Sequence, residues 1–252
     1  MVISGELFAD MDCGIQNVVS LGIERVVLSG GDPILHPDIY NIVKTLSGTC
    51  KVDTVLICSG MRIDNEALRL LHDDGLKSIT ISLDGPCEEI HESIRGPGTF
   101  KSAVEAIKLS QKYFQTSASI VVLPQNHHLI INIIEMLQEL EISSVSINSY
   151  IPVHGNDELN QWVSKYSFAA LREQITVFRS ENTNIKVKTS GIFTDCKYSC
   201  PAGNYLWYLS ADNNIYPCPL AQSYKILTNT NFQLPYREKC FALEEMLERL
   251  SV

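Results

Sequence analysis

Five apolar, β-branched runs recur along the chain, and their spacing constrains the fold more than any other feature. They are 25–29 (RVVLS), 54–58 (TVLIC), 78–83 (SITISL), 116–123 (TSASIVVL) and 144–150 (SVSINSY). Helical patterns lie among them. Residues 64–74 begin at Asp64, a side chain suited to capping, carry Leu68, Leu70 and Leu71, and stop at Gly75. Residues 99–113 begin at Thr99 and place Ala103, Ala106 and Ile107 on one stripe. Residues 7–20, 127–140 and 165–179 also read as helices. Strand and helix alternating every ~20–40 residues predict βαβ units and a parallel sheet. Right-handed crossovers curl such a sheet into a barrel or part of one, with ligands at the C-terminal ends of the strands.

At 252 residues and 45% hydrophobic content, the chain can bury one large core and a small module. Its net charge of −9 argues against a sequence-independent nucleic-acid binder, which needs a basic surface. No apolar stretch approaches the ~20 residues that span a bilayer, and residues 128–137 (HLIINIIEML) read as a buried helix. The opening MVISGELFADMD lacks the pattern of a secretory signal. A reducing cytoplasm is the expected setting, so the eight cysteines call for an explanation other than disulfides. After about residue 190 the texture turns to cysteine, tyrosine, asparagine and proline, and we divide the chain into 1–188 and 189–252.

Three runs end in distinctive loops. The first ends Ser29-Gly30-Gly31-Asp32-Pro33. Paired glycines let a ligand approach the backbone closely, although a plain βα turn would read the same. No Gly-Lys-Ser/Thr follows, so this is not a phosphate loop. The second ends Cys58-Ser59-Gly60, again a turn or a site. The third ends Ser82-Leu83-Asp84-Gly85, and alternation puts Ser82 and Asp84 on one face, where a hydroxyl and a carboxylate suit a diol. An Asp-Gly turn closing the strand is the plainer alternative. Arg95 follows and could grip a carboxylate with two bonds, or pair on the surface with Glu88, Glu89 or Glu92.

Together, LGIERVVLSGGDPILHPDI, SITISLDGPCEEIHESIRGPGTFKSAVEAIK and VSINSYIPVHGN resemble the radical SAM superfamily over most of residues 8–155. The resemblance implies an α/β fold, a partial (β/α)6 TIM-like barrel. It also implies that the Gly30, Gly31, Asp32, Pro33 stretch meets the amino group of S-adenosylmethionine (SAM). By the same likeness Ser82 and Asp84 match a ribose motif, and Arg95 a SAM-proximal arginine. Asp32 stands where the family usually has glutamate.

That chemistry needs a C-x3-C-x2-C loop after the first strand. Its thiolates hold a 4Fe-4S cluster whose open iron chelates SAM and whose electron yields a 5′-deoxyadenosyl radical. No such loop occurs in the sequence. Cys13, Cys50, Cys58 and Cys87 are scattered and read as small buried hydrophobes. The expectation is a barrel lacking its first strand, truncated upstream and inactive as it stands, with an exposed sheet edge that invites a dimer or a partner. A naturally degenerate barrel acting as a binding or partner module is the alternative. A non-redox barrel enzyme ranks last, because no Ser/His/Asp set or paired carboxylates stand out and no catalytic acid or base can be named.

The tail resembles the start of a SPASM or twitch module, a small β-hairpin unit with an auxiliary cluster. Cys200 precedes WYLSADNNIYPC, which ends at Cys218, with Asn213 at the family's glycine position. Cys196, Cys200, Cys218 and Cys240 are the candidate ligands, for a 4Fe-4S cluster or for zinc. Relatives with such tails modify peptides or protein side chains or mature cofactors, which implies a peptide or small-molecule substrate.

Overall fold

A computed structural model describes residues 2–4, 15, 22–150, 157–189, 206–210 and 214–218. The strands are β1 (Val2–Ser4), β2 (Arg25–Leu28), β3 (Asp53–Cys58), β4 (Ser78–Ser82), β5 (Gln115–Val122), β6 (Ser144–Ser149), β7 (Lys186–Thr189), β8 (Tyr208–Ser210) and β9 (Ile215–Tyr216). They form one sheet in the order β7-β6-β5-β4-β3-β2-β1-β8-β9. Strands β1 to β7 are parallel to their neighbours, β8 is parallel to β1, and β9 returns antiparallel. Among the described residues no strand joins β7 to β9, so the barrel is partial. No described helix is long and apolar enough to cross a membrane.

The helices are α1 (Ile39–Val43), α2 (Asn65–Asp73), α3 (Glu88–Arg95), α4 (Thr99–Ser110), α5 (Ile130–Glu139), α6 (Asp157–Lys165) and α7 (Ala169–Glu181). The Asp64 carboxylate accepts from the Ala67 amide at 2.8 Å and starts α2 as expected. The stripe of Ala103, Ala106 and Ile107 on α4 is buried against the sheet. The expected helix at 7–20 lies, apart from Ile15, outside the described residues.

Alternation along the strands separates two environments. The helix-facing side carries Val26, Leu28, Leu56, Ile79, Ile81, Ile120, Val145 and Ile147, all fully buried. Each such side chain contributes about 1.5–3 kcal/mol of burial. The concave side carries Val27, Val55, Ile57, Ser78, Thr80, Ser117, Ser119, Ser146 and Asn148, all only half-buried. Parallel strands covered on both faces read as continuous apolar runs. Here apolar and hydroxyl residues alternate because one face lines an open lumen.

Two expectations are corrected. The strand before β2 is present: Val2 pairs with Val27 and Ile3 with Leu28. On its other side β1 pairs with β8, Val2 with Tyr208 and Ser4 with Ser210. The edge of β2, expected to be exposed, is therefore covered, because unpaired strand amides and carbonyls accept any extended apolar segment that can lie in register. Cys87, expected in the core, is exposed, since it sits in extended conformation at the N-terminal boundary of α3.

Candidate functional site

The turn after β2 depends on its glycines. Gly30 has φ +96° and Gly31 φ +49°, a region that side chains disfavour. Pro33 then starts a short 3-10 turn, Pro33–Leu35. This path sends the Asp32 side chain sideways to the mouth of β3, where its Oδ2 accepts from the Ser59 hydroxyl and from the Ser59 amide. The other oxygen, Oδ1, is buried with no partner among the described residues. A buried carboxylate oxygen without a donor costs about 1–3 kcal/mol or more, so this atom has an acceptor site that a ligand donor could fill.

At the mouth of β4, Ser82 and Asp84 take different roles. Ser82 continues the row of Ser78 and Thr80 on the concave side and lies opposite Ser119 of β5. Its hydroxyl has no partner among the described residues. Asp84 is 1% exposed, and both of its oxygens are held by the protein. Oδ1 accepts from the Val121 amide at 2.8 Å and Oδ2 from Arg95 Nε at 2.5 Å. Arg95 thus pairs with Asp84 rather than with Glu88, Glu89 or Glu92. Its side chain stays 28% exposed, with the guanidinium NH2 groups available at the rim.

Two buried residues, Asn126 and His91, hold this mouth together. The Asn126 amide donates to the carbonyls of Asp84 and Val121, both at 2.9 Å, and its Oδ1 accepts from the Leu123 amide at 2.8 Å. His91 is fully buried and its Nδ1 accepts from the Asp84 amide at 3.1 Å, which puts the ring proton on Nε2. A polar residue in a strand-mouth loop, as in LPQNHH, was the only sequence signal for Asn126.

Burial pushes the His91 pKa below its ordinary 6.5, with the Asp84 charge opposing. The unfolded chain therefore takes up the proton first. The stabilisation from the neutral ring is present above pH 6.5 and is lost as pH falls through the lower native value. Calorimetric Tm is expected to drop as pH falls below 6.5, and His91→Asn, which keeps an acceptor but cannot titrate, should flatten that segment. Parallel profiles for the two proteins would contradict this.

Below the rim, the concave face forms a cavity of about 430 Å³. Its walls include Val27, Val55, Ile57, Thr80, Ser119 and Asn148. Thr80 and Ser117 share a hydrogen bond at 2.8 Å, and Asn148 donates to Ser119 at 3.0 Å. Asp32, Ser82 and Asp84 do not line this cavity; they stand at the ends of the neighbouring strands that form it.

The cysteines form no metal site among the described residues, which hold no cluster of three His, Cys, Asp or Glu side chains. Cys196, Cys200 and Cys240 lie outside the described residues, and Cys218 is half-buried just after β9. Cys58 is buried beside Asp32, and burial pushes its pKa up to about 12, so it stays a thiol. For SAM the residues fit: Asp32 Oδ1 suits its ammonium, Arg95 its carboxylate and Ser82 a ribose hydroxyl. For the radical-forming 4Fe-4S cluster they do not, because no C-x3-C-x2-C occurs in the 252 residues.

The radical SAM superfamily model matches residues 14–137. An AdoMet-dependent heme synthase from Methanosarcina barkeri is 25% identical, over 89% of this chain and 70% of its own length. The Caenorhabditis elegans molybdenum cofactor biosynthesis protein moc-5 is 27% identical over 62% of this chain, which spans 25% of it. Streptococcus suis SuiB superposes with a TM-score of 0.71 at 16% identity, covering 98% of this chain and 65% of that one. AdoMet-bound anSMEcpe gives 0.60 at 14%, covering 98% and 79%. These two likenesses are of fold. Residues 14–137 thus match the radical SAM superfamily, and the partial parallel barrel that holds them has the fold of these two solved structures.

Proposed function

We propose that the chain binds SAM across the mouths of β2 to β5 and presents it to a substrate in the lumen. The observation that carries this is Asp32 Oδ1, a buried acceptor beside a Gly30–Gly31 turn. In this reading Asp32 takes the ammonium, the turn backbone lies along the methionine end, and Ser82 bonds the ribose. Asp84 acts as a positioning residue, holding Arg95 by Nε so that its NH2 groups face the carboxylate. A SuiB structure contains SAM, and another contains the precursor peptide SuiA. With heme and molybdenum cofactor proteins among the relatives, that favours a peptide or a cofactor precursor as substrate. We further propose that 189–252 is a SPASM/twitch-like module in which Cys196, Cys200, Cys218 and Cys240 hold an auxiliary cluster, in a cytoplasmic setting.

A bound radical cluster would supply the electron that cleaves SAM. The missing cysteine motif favours a second reading, a SAM-binding barrel that serves as a partner module. Anaerobic iron–sulfide reconstitution, dithionite reduction and product analysis separate the two. The 252-residue chain is expected to bind SAM and form no 5′-deoxyadenosine; the cleavage product would contradict the second half, and absence of binding the first. In the same preparation, iron should be lost in Cys200→Ala/Cys218→Ala, and unchanged iron would count against the auxiliary site.

A further inference from the structure

The lumen wall carries a charge pattern opposite to that of the whole protein. The chain has net charge −9, yet among the described residues the charged ones lining the 430 Å³ cavity are Arg25, Lys77 and Lys188, with no carboxylate. Arg25 is paired with Asp53 at 3.1 Å. Lys77 and Lys188 form no ion pair among the described residues. Lys77 immediately precedes β4, and Lys188 sits on β7, in register with Ser146 of β6. Between them the wall is Ser78, Thr80, Ser117, Ser119, Ser144 and Ser146. Hydroxyls of this kind both donate and accept.

From this we propose that the lumen is a binding site for an anionic, hydrogen-bonding substrate whose carboxylates or phosphates pair with Lys77 and Lys188. The proposal rests on the SAM reading above for the position of the reacting end. Lys77 lies five positions before Ser82, roughly 16 Å along an extended strand. Lys188 stands in register with Ser146, Ser119 and Ser82, so the two lysines bracket the serine row, which fixes the body of the ligand between them. The volume falls within the usual 300–1,000 Å³ of small-molecule sites. An acidic exterior around a basic lumen also selects for ligands that complete the cavity rather than coat the surface.

The test is calorimetric titration of the 252-residue chain with citrate, with inorganic pyrophosphate and with the uncharged polyol myo-inositol, at low and at 0.5 M salt. Saturable binding of either anion, weakened by salt and at least tenfold weaker in Lys77→Gln/Lys188→Gln, is expected, with little binding of the polyol. Citrate alone would identify a carboxylate ligand, pyrophosphate alone a phosphate ligand, and both a site for either group. No saturable anion binding, equal affinity in the variant, or equal binding of the polyol would overturn the proposal. Both lysines are exposed, so the variant should keep its Tm. SAM titration of the same variant should be unaltered, so failure of the anion site and failure of the SAM site are read separately.

Discussion

Asp84→Ala is expected to destabilise the protein by about 3 kcal/mol, measured by urea or thermal unfolding. The carboxylate is 1% exposed and receives two donors from different elements, the Val121 amide of β5 and Arg95 at the end of α3. Removing it strands both. Arg95 is 28% exposed and can recover some hydration, which keeps the loss at the low end of the range for broken buried pairs. Asp84→Asn should lose less, because one oxygen can still accept from Val121. Adding Arg95→Met to Asp84→Asn should restore part of the loss, since no uncompensated charge then remains. A loss below about 1 kcal/mol for Asp84→Ala would mean that the pair does not organise the mouth of β4.

Gly85→Ala is expected to be of similar size, about 3 kcal/mol, for a steric reason. A Cβ built on Gly85 would lie 2.4 Å from the His91 amide nitrogen and 2.9 Å from its Cα. These are backbone atoms, so relief requires moving α3 as a whole. That helix carries both His91 and Arg95, so the variant should also weaken SAM binding. Wild-type stability in Gly85→Ala would contradict the close approach of α3 to the strand mouth.

Much of the sheet was legible because burial on one face imposes a period of two. The runs expected at 54–58, 78–83, 116–123 and 144–150 are β3 to β6, each within one residue at either end. Capping at Asp64 and the stop at Gly75 were legible as local chemistry. β1 and β7 were not, because VIS is only three residues and KVKT carries a single apolar side chain. At the site, the glycine turn and the acids could be located from their neighbours in sequence. Their partners could not, since Ser59 to Asp32 and Asn126 to Asp84 are contacts across 27 and 42 residues. The sequence pattern put Ser82 and Asp84 side by side on one face. Beyond the last strand residue that alternation no longer governs direction, and the Asp84 carboxylate turns to Val121 and Arg95 instead.

The Asp32 carboxylate folds against Ser59 and leaves one buried oxygen with no donor among the described residues, the atom proposed to take the ammonium of SAM. Calorimetric titration of SAM into the wild-type chain and into Asp32→Asn tests it most directly. Saturable binding is expected for the wild type, and at least tenfold weaker binding for the variant, whose amide retains an acceptor but no charge. Equal affinities, or no saturable SAM binding to the folded wild-type chain, would contradict it.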